Sequence, residues 1–307
     1  MTFLDEQSGS VSERIDRRRL VQIAGLAGLA TVGVVRLGDR ILAQGGATPP
    51  VVPQLPANIT LIAQGLENPQ YLAIAADGRF IVSETGAFES DTIVASPVAG
   101  TPAPAGRATV HGETGLVSSV TPDGTRTVIV DGLPSYLAAS GANGPAGLSL
   151  VEGGVLVVTG GAGAAISDVT PYPNENSLLR IDLATGAVTN IANIGAYETA
   201  NNPDGFAISS NCRGLAVVED VAYVSDAGGN TIYAIDLATG ELRPLAVIPG
   251  IPVAEPNPER QGLNEIDPVP SGLAAAPDGT LLVGFVGGAP VASGSAGILK
   301  VALDGTV

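Results

Sequence analysis

Short apolar runs, broken at intervals by Gly, Asp-Gly or Thr-Gly, recur along this chain as one phrase repeated four times. A small residue leads into Gly-Leu or Tyr-Leu, an apolar stretch follows, then a tight turn, then a second apolar stretch. The copies run from Pro69 to Glu84, from Pro145 to Gly160, from Arg213 to Asp226 and from Pro270 to Gly284. Self-similarity at a long, loose spacing marks a repeat architecture, in which no unit buries its apolar face without its neighbours.

Each unit reads as consecutive strands joined by tight turns. In the third copy, Gly214 to Val218 and Val221 to Ser225 flank the turn Glu219-Asp220, and Thr231 to Asp236 follows Gly228-Gly229-Asn230. Thr239-Gly240 then turns the chain into Glu241 to Ile248, where Pro244 suits an outer edge better than a centre. Asp-Gly and Thr-Gly pairs at 77–78, 123–124, 185–186, 239–240, 278–279 and 304–305 supply the positive φ that hairpins need. Helical readings lose because few windows hold a 3.6-residue apolar period without Gly or Pro interrupting it. Four antiparallel strands per unit, arranged radially, make a propeller blade. The expected fold is an all-β β-propeller spanning 58–307, with units near 68–142, 143–196, 210–249 and 269–307.

Composition agrees and narrows the partners. With 45% apolar residues and 41 glycines the chain is a Gly-turned, strand-rich globule rather than a disordered segment. The formal net charge is −16, and six of the 14 basic residues lie before residue 41, so the folded body is more acidic still. That balance argues against nucleic acid and leaves cations, small molecules or protein partners.

Residues 1–45 form a segment apart. Arg17-Arg18-Arg19 precede Leu20 to Val35, sixteen residues without a charge, and small residues at Ala43 and Gly45 suit cleavage. This is the order of an export signal, and the paired arginines before a moderately apolar Gly/Ala-rich core look like a twin-arginine signal. Asp5, Glu6, Glu13 and Asp16 count against it. An uncleaved anchor is the weaker alternative, since the run falls short of the roughly 20 apolar residues of a span. A Pro-rich linker, 46–57, follows. The expected location is extracytoplasmic, with no membrane contact after signal removal.

Catalytic constellations are scarce. Cys212 is the one cysteine and reads as a small buried residue at the start of a strand. His111, the one histidine, falls in a Gly/Ala/Pro-rich insertion, which excludes a multi-histidine zinc site and leaves no support for a Ser-His-Asp triad. No nucleophile elbow, phosphate loop or convincing dinucleotide fingerprint is present.

Oxygen ligands remain. Residues that enter an innermost strand or end the second strand of a blade line the propeller axis. Asn68, Asn143 and Asn211 stand at strand starts, and Glu84 and Asp226 at second-strand ends. Glu84, Asn143, Asn211 and Asp226 are the candidate metal ligands, and Ca²⁺, with its six to eight hard oxygen ligands, is the ion they would take. The plainer reading is that Asn and Asp beside Gly or Pro make turns and satisfy loop amides. Between the second and third units, the polar connection from Gly195 to Phe206 gathers Tyr197, Glu198, Asn201, Asn202 and Asp204. Longer loops on a rigid scaffold are where binding groups sit, so these five and Asn68 are the ligand-binding candidates, with a plain crossover as the alternative.

The string Ala196-Tyr-Glu-Thr-Ala-Asn-Asn-Pro-Asp-Gly205, with Ser210-Asn211, Gly214-Leu215 and Val224-Ser-Asp226-Ala-Gly-Gly-Asn230, resembles the ScyD/ScyE family, named for proteins encoded with scytonemin pigment biosynthesis. The resemblance covers roughly 58–307 and is specific in 196–230. It implies an exported bacterial protein with NHL-like propeller repeats, six-bladed in full-length relatives and without an established reaction. This chain has Cys212-Arg213 where many relatives carry Pro and an aromatic or small residue.

The last unit lacks an outer strand after Ile298 to Leu303, while Ile59 to Gln64 has no unit of its own and could supply that strand to close a ring of four or five units. The alternative, which the resemblance favours, is a fragment of a six-bladed ring with an exposed apolar blade face. Three functions stay open. The first is a propeller that holds a small-molecule or protein ligand at its face. The second is a Ca²⁺-dependent lactonase, as in gluconolactonases, with the metal polarising an ester carbonyl. The third, which rests on the resemblance, is an accessory role in extracytoplasmic pigment or secondary-metabolite assembly.

Overall fold

The computed structural model describes residues 56–87, 94–95, 110–138, 141–161 and 173–306. The segment read as an export signal and nearly all of the linker lie outside the described residues. The chain divides into two units, Met1–Thr60 and Leu61–Val307. Of the first, only residues 56–60 are described, a turn in which the Ile59 N–H donates to the Pro56 carbonyl at 2.9 Å.

The second unit contains antiparallel sheets in sequence order. β1 (Pro69–Ile74), β2 (Phe80–Glu84), β3 (Val94–Ala95), β4 (Val110–Val120), β5 (Arg126–Ala138) and β6 (Gly141–Asn143) make the first, ordered β1-β2-β4-β5-β6 with β3 beside β4. β7 (Pro145–Val151), β8 (Gly154–Thr159), β9 (Ser177–Asp182) and β10 (Val188–Asn193) make the second. After a helix, α1 (Ile194–Asn201), the third follows: β11 (Cys212–Val218), β12 (Val221–Asp226), β13 (Thr231–Asp236) and β14 (Leu242–Val247). A hairpin, β15 (Ile251–Asn257) and β16 (Leu263–Ile266), precedes the three-stranded fourth sheet of β17 (Pro270–Ala275), β18 (Leu281–Phe285) and β19 (Gly297–Val301). The inner strands pack in order, β1 on β7, β7 on β11 and β11 on β17.

The two-residue side-chain period explains why these strands are apolar throughout. Val155 and Val157 of β8 join Ile81, Val117 and Leu133 of the first sheet, while Leu156 and Val158 join Cys212, Ala222, Val224, Tyr233 and Ile235 of the third. The third sheet turns Tyr223, Ile232 and Ala234 the other way, onto Leu281, Val283 and Val301. Each central sheet is thus buried on both faces, the packing of a β-propeller. Leu72 and Ile74 of β1 and Leu282 and Ile298 of the fourth sheet are exposed apolar residues on the faces where this succession of described sheets stops.

The expected hairpin glycines all have positive φ, from 71° at Gly186 to 91° at Gly124 and Gly305. At three of them the requirement is doubled by a close approach between sheets. A Cβ on Gly186, Gly240 or Gly305 would lie 2.4, 2.6 and 2.3 Å from the carbonyl oxygens of Ile129, Ile191 and Leu245, each on the last long strand of the preceding sheet. Gly124 of the first sheet makes the same approach, 2.1 Å, to the carbonyl of Ile62.

Several expectations are corrected. The first unit is a single enlarged sheet, because the long strands β4 and β5 absorb bulges and extend it instead of starting a new blade. Residue 111 lies in β4, paired with Val94, and not in a loop. Residues 59–64 belong to no strand, although Ile62 occupies the position against Gly124 that outer strands occupy elsewhere. Pro244 does lie on the edge strand β14, in register with Tyr233, where proline is best tolerated in a sheet. The polar connection is a helix, capped by Asn193, whose Oδ1 accepts from the Ala196 N–H at 2.7 Å, and ended by Asn202 at φ 42°.

Candidate functional site

The axial face is built from a bulge repeated in the inner strands. Register slips between Pro69 and Tyr71, Cys212 and Gly214, and Pro270 and Gly272 leave Gln70, Arg213 and Ser271 out of the ladder at equivalent places. Second-strand serines stitch these bulges to the next sheet. Ser83 Oγ accepts from the Tyr71 N–H at 3.2 Å and donates to the Ala146 carbonyl at 2.7 Å. Ser225 Oγ repeats this between the Gly214 N–H, 2.8 Å, and the Ser271 carbonyl, 3.3 Å.

Arg213 reaches from this frame to the first sheet. Its Nη1 donates to Asn143 Oδ1 at 2.6 Å and its Nη2 to Gln70 Oε1 at 3.2 Å. Asn143 therefore does meet a cationic group, but the cation belongs to the protein.

The other metal candidates are also engaged. Glu84, fully buried, pairs with Arg126 Nη2 at 2.8 Å and accepts from the Glu67 N–H and the Ser118 hydroxyl. Asp226 is equally buried, and its Oδ1 accepts from the N–H groups of Asn211, Gly228 and Gly229 at 2.6, 3.0 and 3.2 Å. Its Oδ2 accepts from the Ser210 hydroxyl at 2.6 Å. Burial pushes the Asp226 carboxyl up, and these four hydrogen bonds oppose the shift. Of the four candidates, Asn211 alone has its Oδ1 buried without a partner among the described residues, facing Gly160, where a Cβ would lie 2.6 Å away. Ca²⁺ takes six to eight oxygen ligands, and with Glu84, Asn143 and Asp226 turned to protein donors this set does not fit it. Among the described residues no group of three or more His, Cys, Asp or Glu is placed to hold a metal.

The connection residues form a second polar centre. Glu198 of α1 is 1% exposed, with Oε2 accepting from the Tyr233 hydroxyl at 3.0 Å and Oε1 unpartnered. Burial pushes its carboxyl up to about 7, aided by the charges of Asp226 and Asp204 and opposed by the Tyr233 bond. The Tyr197 ring meets that of Tyr233 edge-on, 5.7 Å between centroids. Asn201 bonds back to the Tyr197 carbonyl at 2.9 Å and Asn202 to the Phe206 carbonyl at 2.8 Å, so both hold the helix end. Asp204 accepts from Asn230 Nδ2 at 2.8 Å. Asn68, at φ 55°, donates to the Gly86 carbonyl at 2.7 Å and is a turn residue.

Two residues of this centre, Asn230 and Arg260, were not singled out as site residues from sequence. Asn230 also donates to Asp267 at 2.9 Å, and Arg260 lies 3.3 Å over the Phe206 ring while pairing with Glu265 at 2.6 Å and Asp267 at 2.9 Å. Together they clamp the connection onto the β15–β16 hairpin. Arg213 stood within the Cys212-Arg213 pair that departs from the family pattern, but it carried no site role there. No local pattern marked Arg260, whose partners come from the fold.

The molecule is a β-propeller with a polar axial face held by inter-sheet hydrogen bonds. No protein-family model matches the chain, and no curated protein sequence does. Among solved structures it is similar to a Bacteroides thetaiotaomicron protein of unknown function, at 13% identity and a TM-score of 0.38 over 67% of this chain and 40% of that one. It is also similar to a Xanthomonas campestris gluconolactonase, at 14% identity and a TM-score of 0.45 over 78% of this chain and 60% of that one. A structure of a nidogen/laminin complex matches at 13% identity and a TM-score of 0.38, over 65% of this chain and 59% of that one. The chain thus spans 40% to 60% of the lengths of these structures. Among the described residues no helix is long and apolar enough to cross a membrane.

Proposed function

We infer that this chain is an exported binding propeller whose axial face and α1 connection hold a ligand or protein partner. One observation carries this reading: Glu84, Asn143 and Asp226, three of the four groups expected to hold a metal, are committed to protein donors in a polar face rather than presented to a substrate. Glu84 is neutralised by Arg126, and Asp226 is filled by four donors. The same commitments count against the lactonase alternative, which needs an ion to polarise an ester carbonyl.

The arginine-led N-terminal segment supports an extracytoplasmic location, and the resemblance in 196–230 to ScyD/ScyE proteins supports an accessory role in pigment or secondary-metabolite assembly. The test is calorimetric titration with Ca²⁺, with thermal unfolding followed with and without chelator. No heat and no shift in Tm are expected. Saturable binding with a raised Tm, lost in Asp226→Ala, would return the metal reading to first place.

A further inference from the structure

We propose that the guanidinium of Arg213 is a binding site on the axial face for a small molecule bearing a single carboxylate. The inference rests on the binding-propeller reading and names the ligand chemistry of that face.

Arg213 is half-buried on its bulge, and both of its hydrogen-bond acceptors, Asn143 Oδ1 and Gln70 Oε1, belong to neutral amides. Among the described residues it makes no ion pair, whereas the other arginines withdrawn from solvent do: Arg126 has Glu84, and Arg260 has Glu265 and Asp267. A cation taken partly out of water costs free energy unless it is paired. In a chain with 30 acidic residues against 14 basic ones, an internal counter-ion would be simple to supply. Amides stand in its place, and they orient the fork without cancelling its charge.

A guanidinium carries five N–H donors in a fixed plane, so two amide contacts leave about three free. Those contacts come from β1 and β6 of another sheet, so the side chain is ordered before any ligand arrives and less entropy is lost on binding. The planar fork matches a carboxylate in a way a lysine ammonium does not. The charge is felt locally: burial pushes the pKa of the Tyr136 hydroxyl up, Arg213 pulls it back down, and the charges of Glu175 and Asp226 add to the rise. The net charge of −16 disfavours polyanions, which selects a monocarboxylate with an uncharged remainder over a phosphate or a dicarboxylate.

The test titrates sodium lactate into the full chain at low ionic strength, matched against sodium chloride, and follows the arginine Nε–H signals by NMR in ¹⁵N-labelled protein. A saturable shift is expected in one signal, the one absent from Arg213→Gln. Apparent affinity should fall at least about tenfold in Arg213→Lys, which keeps the charge and loses the fork. Asn143→Asp keeps Arg213 and gives it a counter-ion, so lactate binding should vanish even where Arg213→Gln does not fold. A lactate response equal to that of chloride, or unaltered in Asn143→Asp, overturns the site. Loss of the lactate response in a protein that also ignores Ca²⁺ sinks only this site, whereas Ca²⁺ binding sinks the metal-free reading beneath it.

Discussion

Arg213 Nη1 donates to Asn143 Oδ1 across 2.6 Å, tying the third sheet to the end of the first while β7 packs between their inner strands. This bond replaces the ion–amide contact that the sequence alone suggested for Asn143. Asn143→Ala should cost about 1.5–3 kcal/mol, the range for hydrogen bonds to charged groups, in urea unfolding. A change below about 0.5 kcal/mol would mean that the tie contributes nothing to holding the sheets together.

Glu84 and Arg126 make the corresponding pair within the first sheet. Glu84→Ala leaves Arg126 with its Nε already unpartnered and its Nη2 without Glu84, while Nη1 keeps the Gly65 carbonyl, so a loss of about 1.5–3 kcal/mol is expected. The double variant with Arg126→Leu should recover part of that loss. A double-variant loss equal to the sum of the Glu84→Ala and Arg126→Leu losses would show that the pair is not coupled.

The Glu198 carboxyl, raised to about 7, favours the protonated form in the folded state. Its stabilising contribution is complete below the unfolded pKa of about 4.5 and is lost as pH rises through about 7. The measured Tm should therefore decline over that interval, and Glu198→Gln should remove that part of the slope, ranking above the unaltered chain at pH 8 and not at pH 4. Parallel pH profiles for the two proteins would contradict this.

At Gly240, φ is 75° and an added Cβ would lie 2.6 Å from the Ile191 carbonyl. Gly240→Ala should cost more than the roughly 1 kcal/mol of an unfavourable φ alone, because the outer hairpin must also retreat from the second sheet. Chemical denaturation decides this, with Gly262→Ala as the control: φ is 81° there and nothing lies within 4 Å of the added Cβ.

Replacing Arg17, Arg18 and Arg19 with lysines should hold the chain in the cytoplasm of a host that carries twin-arginine export. Cell fractionation reads the result directly, and unchanged export would remove the signal reading.

The blades were legible because their information is local. Positive-φ glycines at hairpins, a proline at the edge strand and strands apolar on both faces each follow from a few neighbouring residues, and all appear where expected. The helix at Ile194–Asn201 was missed because Gly195 weakens its first turn and its eight residues carry no extended apolar stripe. Its stability comes from the Asn193 cap and from contacts with Tyr233, which the sequence places 35 residues from Glu198.

The site divides along the same line. Sequence by itself marked Glu84, Asn143, Asn211 and Asp226 as candidates, since a repeat places equivalent positions of each unit at equivalent depths. Only the tertiary structure decided what each one does there. A carboxylate that could hold an ion and one that accepts four protein donors are the same residue in sequence. The difference lies in the partners that long-range packing brings within 3.2 Å, as it does for Asp226 with Asn211, Ser210, Gly228 and Gly229. Arg213 became a candidate ligand-binding group by the same route, because folding set its charge against amides and, among the described residues, gave it no ion pair.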